Sequence, residues 1–214
     1  MNVHTKGSDA LTGVPMRERF DELLREAVDG PDATAPVSLA LYDIDRFLAL
    51  NEAHGREAGD ALLRAVVAVF QERLPSDAGA VCRLGGDEFA VIMPGTEKEQ
   101  AFLALEQARA AVGSLEEFAG MDPAPSVSVG IASYPDDAAM RQELLRKADD
   151  ALYRAKCTGR NKVVLAREEK KVPKTSHYTQ GQLERLTALS EKEGVGEAEL
   201  LREALDDLLK KYSS

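Results

Sequence analysis

Phe20, Leu23, Leu24 and Ala27 fall on one face of a helix predicted over residues 16–28. The period then changes. The apolar run VSLALYD at 37–43, bounded by Pro36, predicts a strand that ends on acidic residues. From Glu57 to Leu74 the spacing is helical again, through Leu62, Leu63, Val66, Val67 and Phe70. Two short apolar runs follow, AVCRL at 80–84 and FAVIM at 89–93, separated by Gly85, Gly86, Asp87 and Glu88. A glycine pair between such runs predicts a hairpin, because its turn takes backbone angles that glycine adopts cheaply. Residues 97–114 read as helix, SVSVGIAS at 126–133 as an alternating strand, 139–157 as a helix and 162–166 as a short strand.

From residue 37 onward the order is strand, helix, strand, strand, helix, strand. This predicts an α+β unit of the ferredoxin-like, palm-type split βαβ arrangement, with two helices covering one face of an antiparallel sheet. The pattern breaks at REEKKVPK (167–174), a short charged stretch containing Pro173, which reads as a linker. The expected organisation is therefore a domain over 1–166, a linker over 167–174 and a tail over 175–214. The tail holds one extended segment and two helical patterns separated by EGVGEAE (193–199). It is too small to build a sizeable core alone, so a second copy is expected to complete it.

Composition narrows the function classes. Of 214 residues, 37 are acidic and 27 basic, a formal charge of −10, which argues against coating a membrane or nucleic acid through bulk charge. Cys82 and Cys157 are too few for a disulfide framework and lack metal-site spacing. His4, His54 and His177 are scattered, against a histidine metal cluster. No uncharged stretch approaches the roughly 20 residues needed to span a bilayer, and the opening MNVHTKGSDA has no apolar run. A reduced, soluble, cytoplasmic protein without membrane contact is the expectation.

The chemistry is expected where the first strand meets the hairpin. In a split βαβ sheet those two elements can lie side by side, which would gather Asp43, Asp87 and Glu88. Carboxylates in one spot repel unless cations share them, and oxygen-only ligands suit Mg²⁺ or Mn²⁺. Such ions can activate a hydroxyl and stabilise a phosphoryl displacement. The plainer alternative is that Asp43 and Asp45 cap the next helix, while the hairpin acids are solvated turn residues.

LGGDEFAVIMPG (84–95) resembles the signature hairpin of the GGDEF family, the bacterial diguanylate cyclases. DALTGVPMRERF (9–20) is similar to the family's opening motif, LYDIDRFLALNEAHGREAGD (41–60) to its metal and guanine segment, and ADDALYRAKCTGRN (148–161) to its closing motif. The resemblance implies condensation of two GTP molecules into cyclic di-GMP with release of two pyrophosphates, across two facing domains of a homodimer. It implies Asp43, Asp87 and the Ile44 carbonyl as ligands of Mg²⁺ (or Mn²⁺), and Asp87, Glu88 and Lys156 as catalytic groups. Asn51 and Asp60 would read the guanine edge. Phe47, Lys156 and Arg160 would hold phosphates, Lys156 as a compact cation and Arg160 as a planar fork. Gly85 and Gly86 would let the backbone approach the nucleotide. Lys156 and Arg160 also suit a helix C-terminus, whose dipole they would offset.

Some positions depart from the family pattern. Leu48 stands where the family usually has a lysine, so a phosphate contact is missing, which is expected to raise the GTP requirement or weaken the enzyme. Met16 and Arg56 replace a usual asparagine and histidine and are expected to be tolerated. The product-inhibition motif would fall on Ser76 to Gly79, and neither end matches, so no feedback inhibition through that site is expected. The opening motif begins at residue 9, so an input signal is expected from the tail or a partner.

The segment 174–212 resembles a ribbon-helix-helix module, in which two chains pair strands and interlock helices, and the ribbon enters the DNA major groove. Leu183, Leu186 and Leu189 line its first helix; Leu200, Leu201, Ala204, Leu205 and Leu208 line its second. Lys174, Ser176 and Tyr178 would face DNA or another ligand. From 175 onward five basic residues stand against eight acidic ones, a balance poor for phosphate binding that favours a dimerising clasp. Two readings follow. One is a Mg²⁺-dependent diguanylate cyclase with a C-terminal dimerising module. The other is a DNA-binding regulator whose GGDEF domain senses GTP or cyclic di-GMP.

Overall fold

The side chains from Val37 to Tyr42, and Ile44, are all buried. A strand without a polar face must be covered on both sides, and this one is the centre of the sheet. The computed structural model describes residues 7–30, 36–74, 79–167, 175–193 and 196–212. Its strands are β1 (Val37–Ile44), β2 (Ala80–Gly85), β3 (Glu88–Pro94), β4 (Val127–Tyr134) and β5 (Val163–Leu165), in spatial order β2-β3-β1-β4-β5. β1 runs antiparallel to β3 and β4, and β2 pairs with β3 as a hairpin. These four strands have the expected split βαβ order; β5 adds a parallel edge beside β4.

The helices of this unit are α1 (Arg17–Asp29), α2 (Phe47–His54), α3 (Arg56–Arg73), α4 (Lys98–Val112) and α5 (Arg141–Cys157). Tyr42, Ile44 and Phe89 pack with Leu62, Val66 and Phe70 of α3 and Leu105 of α4 on one face. Leu39, Leu41 and Ile92 pack with Phe20 and Leu24 of α1 and Leu144 and Leu152 of α5 on the other. Two helices on one face were expected, and the second face is covered as well. The cause is the alternation along β1, which sends apolar side chains both ways. α2 is the element that periodicity does not reveal, because Leu50 is its one buried residue.

One glycine sets how close α5 comes. A Cβ on Gly130 of β4 would lie 2.1 Å from the Leu152 nitrogen and 2.3 Å from the Ala148 carbonyl oxygen. Backbone therefore meets backbone at this crossing, which places the C-terminal turn of α5 over the end of β1.

The chain divides into two compact units, Met1–Glu168 and Glu169–Ser214. The second contains α6 (Gln180–Glu193) and α7 (Glu197–Tyr212). Residues 175–179 form no strand in the single chain. A ribbon strand has hydrogen-bond partners only when a second chain supplies them. The predicted linker lies, from residue 168 on, outside the described residues, as do Lys174 and Ser76. Among the described residues no helix is long and apolar enough to cross a membrane.

Candidate active site at the end of the central strand

Because Tyr42 points to the α3–α4 face, Asp43 points to the α5 face. Tyr42 is wedged there between Phe70 and Phe89, with ring centroids 3.9 and 5.0 Å away. Across the sheet Asp43 stands opposite Glu88 of β3 and Ser128 of β4. Like charges opposed in a sheet are unfavourable, so the Asp43–Glu88 register points to function rather than to stability. The Ile44 N–H donates to the Asp87 carbonyl at 3.4 Å, tying the strand end to the hairpin. From the last turn of α5, Lys156 Nζ reaches Asp43 Oδ2 at 2.8 Å.

That ion pair does not settle the charge. Burial pushes the Asp43 carboxyl up to about 6, the neighbouring Asp87 and Asp45 add to the rise, and Lys156 offsets it only in part. The group is an under-compensated carboxylate among other oxygen donors, and that donor chemistry fits a hard divalent cation. Among the described residues no group of three His, Cys, Asp or Glu side chains could hold a metal by itself. A Mg²⁺ site built from one or two carboxylates and completed by substrate phosphates needs no such cage. Asp43, Asp87 and the Ile44 carbonyl therefore suit that kind of site.

The hairpin tip is held from below by a residue that motif reading passed over. Arg83 directs Nε and Nη2 to the Gly86 carbonyl, at 3.0 and 2.6 Å, and Nη1 to Asp9 Oδ2 at 2.9 Å. Its own N–H donates to the Pro15 carbonyl at 2.8 Å. Asp9 also accepts from the Thr12 N–H and hydroxyl, at 2.8 and 2.6 Å. Burial alone would raise the Asp9 carboxyl, but the Thr12 and Arg83 hydrogen bonds hold it below the usual 3.8. The signal in the sequence was an arginine inside an apolar strand run and an Asp three residues before a Thr. Gly85 and Gly86 have φ of 153° and 54°, and a Cβ on either would meet nothing within 4 Å, so the tip faces open space.

Asp45 does not cap α2. The N-cap is Arg46, in the left-handed region at φ 57°, and no side chain caps the helix. Asp45 is buried instead, accepting from Ser126 Oγ at 2.8 Å, Ser128 Oγ at 2.7 Å and the Asn161 N–H at 2.9 Å. Arg109 of α4 holds the Asn161 side-chain oxygen at 2.9 Å. The turn that carries Arg160 is thus anchored to the strand end. Phe47, expected to hold phosphate, opens α2 three residues beyond Ile44.

Asn51 and Asp60 form a separate group where α2 meets α3. The Asn51 Oδ1 would lie 1.9 Å from a Cβ on Gly59, so the amide lies directly over the residue that precedes Asp60. Asp60 is exposed, Leu48 is 72% exposed, and Ser176 and Tyr178 are exposed without strand pairing.

A family model described as "Diguanylate cyclase, GGDEF domain" matches residues 7–162, and the chain belongs to this GGDEF family. A model described as "Ribbon-helix-helix domain" matches residues 170–213. Among curated proteins, the chain is 35% identical over 165 residues to diguanylate cyclase DgcP of Pseudomonas aeruginosa, covering 74% of this chain and 24% of that protein. It is 37% identical over 167 residues to the response regulator PleD of Caulobacter vibrioides, covering 73% and 35%. The chain thus spans about a quarter to a third of these relatives' length. Among solved structures, the GGDEF domain of DgcB from Caulobacter crescentus in complex with c-di-GMP superposes with a TM-score of 0.68 at 30% identity, covering 78% of this chain and 99% of that one.

Proposed function

We propose that the chain condenses two GTP molecules into cyclic di-GMP and two pyrophosphates. The observation that carries this reading is the register of Asp43 against Glu88, with Lys156 2.8 Å from Asp43. It is joined by the similarity to proteins named diguanylate cyclases. In this reading Asp60 accepts from the ring and exocyclic N–H groups of guanine, and Asn51 hydrogen-bonds the same edge. The first turn of α2, at Phe47, offers amides to phosphate, and Lys156 and Arg160 neutralise it. Asp43, Asp87 and the Ile44 carbonyl would hold Mg²⁺ or Mn²⁺, which when bound offsets triphosphate charge and acidifies a hydroxyl. Glu88 takes up the proton of the attacking 3′-hydroxyl. The new bond joins that oxygen to the partner nucleotide's α-phosphorus, the bond from the α-phosphorus to the bridging oxygen breaks, and pyrophosphate leaves. A site on one chain holds one nucleotide, so two chains must face each other for both bonds to form.

The tail supplies that pairing in this reading. Leu183, Leu189, Leu205, Leu208 and Leu209 are each 43–55% exposed in the single chain, an apolar surface suited to a second copy. A dimer joined there raises the effective concentration of one catalytic domain at the other. GTP as substrate also accords with a cytoplasmic location. The ribbon-helix-helix match favours a second reading, a DNA-binding regulator that senses GTP or cyclic di-GMP, with Lys174, Ser176 and Tyr178 toward DNA. Incubation of the full chain with GTP and Mg²⁺ separates the two. The cyclase reading expects cyclic di-GMP from the wild type and a loss of about 100- to 1000-fold in Asp87→Ala. No product from either protein, with sequence-specific DNA retention, supports the regulator.

A further inference from the structure

We propose that Arg46 supplies the terminal-phosphate contact that Leu48 cannot, an inference that rests on the GTP-binding reading above. Leu48 is 72% exposed and carries no donor. Two residues earlier, Arg46 is exposed and lines a cleft of about 240 Å³ together with Gly159, Arg160 and Asn161. Arg160 is the phosphate-binding candidate already described, so the cleft continues the proposed phosphate cradle. Two arginines thus line one open space, and among the described residues neither is paired with a carboxylate.

Two acids also line the cleft, Asp45 and Asp122. Asp45 is buried and its oxygens are taken by Ser126, Ser128 and Asn161, so its charge is already spent on fixing the turn. Asp122 is exposed and solvated. The same Asp45 bonds hold the backbone on both sides of the cleft, where Arg46, Arg160 and Asn161 all take left-handed angles, φ 57°, 60° and 47°. These constrained positions bring two arginines to one cleft, and their planar forks match phosphate oxygens bidentately where a lysine acts as a point charge.

The test compares a triphosphate with a monophosphate by calorimetry on the full chain. The probes are the α,β-methylene analogue of GTP, which cannot release pyrophosphate, and GMP. Arg46→Gln removes the guanidinium and its charge while keeping an unbranched polar side chain at this left-handed position. It is expected to weaken the triphosphate analogue about tenfold and to leave GMP affinity unchanged. Arg46→Gln/Leu48→Lys is expected to recover most of that loss. A triphosphate affinity within about twofold of wild type, or an equal loss for GMP, would overturn the proposal. A double variant no better than the single one would overturn the claim that positions 46 and 48 serve the same phosphate. The expected loss of triphosphate affinity in Arg46→Gln, with no cyclic di-GMP formed by the wild type, would count against the cyclase reading instead and leave this contact standing.

Discussion

Leucine in the two units of this chain lives in opposite circumstances. In the GGDEF unit Leu62, Leu105 and Leu144 are wholly buried, whereas in the tail Leu205, Leu208 and Leu209 are each more than half exposed. The first unit closes its core within one chain and leaves Asp43 only partly offset by Lys156, beside Asp87 and Glu88. The tail leaves its apolar surface uncompensated. In the proposed reading each lacks something different: cation and nucleotide phosphate in one place, a second copy in the other. It also joins them, because a reaction needing two nucleotides face to face is served by a surface that pairs two chains.

The largest expected effect comes from removing the pairing surface while leaving the acidic site untouched. Leu205→Asp/Leu208→Asp should give a monomer by light scattering and, at low protein concentration, a fall in turnover of about 100-fold. Unaltered turnover from a proven monomer would break the link between the units. A substitution confined to the other unit should do the reverse. Gly130→Ala forces a Cβ into the backbone of α5, and calorimetry should show a loss of about 1–3 kcal/mol with the oligomeric state retained.

Gly59→Ala is smaller in effect and sharper in kind. Alanine favours the helix by up to about 1 kcal/mol, and the atom it meets is the end of the Asn51 side chain. Thermal stability should hold or rise while GTP affinity falls about tenfold, roughly 1.4 kcal/mol. Matched losses of both would show that Asn51 plays no part in binding. The smallest effect concerns Asp9, whose carboxyl sits below 3.8 when folded. A lowered carboxylate stabilises the fold above its unfolded value and loses that contribution as pH falls through its folded value. The stability gap between wild type and Asp9→Asn should thus be level near neutrality and narrow below about pH 4. A gap independent of pH would mean that Asp9 acts through neutral hydrogen bonds alone.

Much of the GGDEF unit was legible in the sequence because its strands and long helices carry strong apolar periods. The strand–helix order led to the split βαβ sheet, and the glycine pair led to the hairpin. What escaped has physical reasons. α2 buries only Leu50, so it has no apolar stripe to detect. Cover on the second sheet face depends on α1 and α5 folding back, a long-range arrangement that no local window contains. Arg83 and Asp45 act through partners far along the chain, Asp9 and Asn161, and spacing alone does not join such pairs. Capping was the plausible local role for Asp45, but the hydroxyls of half-buried Ser126 and buried Ser128 offer its charge better compensation.

The central claim is that the acidic site at the end of β1 performs half of a reaction that a second chain completes. The direct test is the initial rate of cyclic di-GMP formation from GTP and Mg²⁺, measured per chain as the full-length protein is diluted and its oligomeric state followed. The account predicts product from the dimer, with the rate per chain falling in step with the dimer fraction. A full rate per chain from monomers, or no product from the dimer, would contradict it.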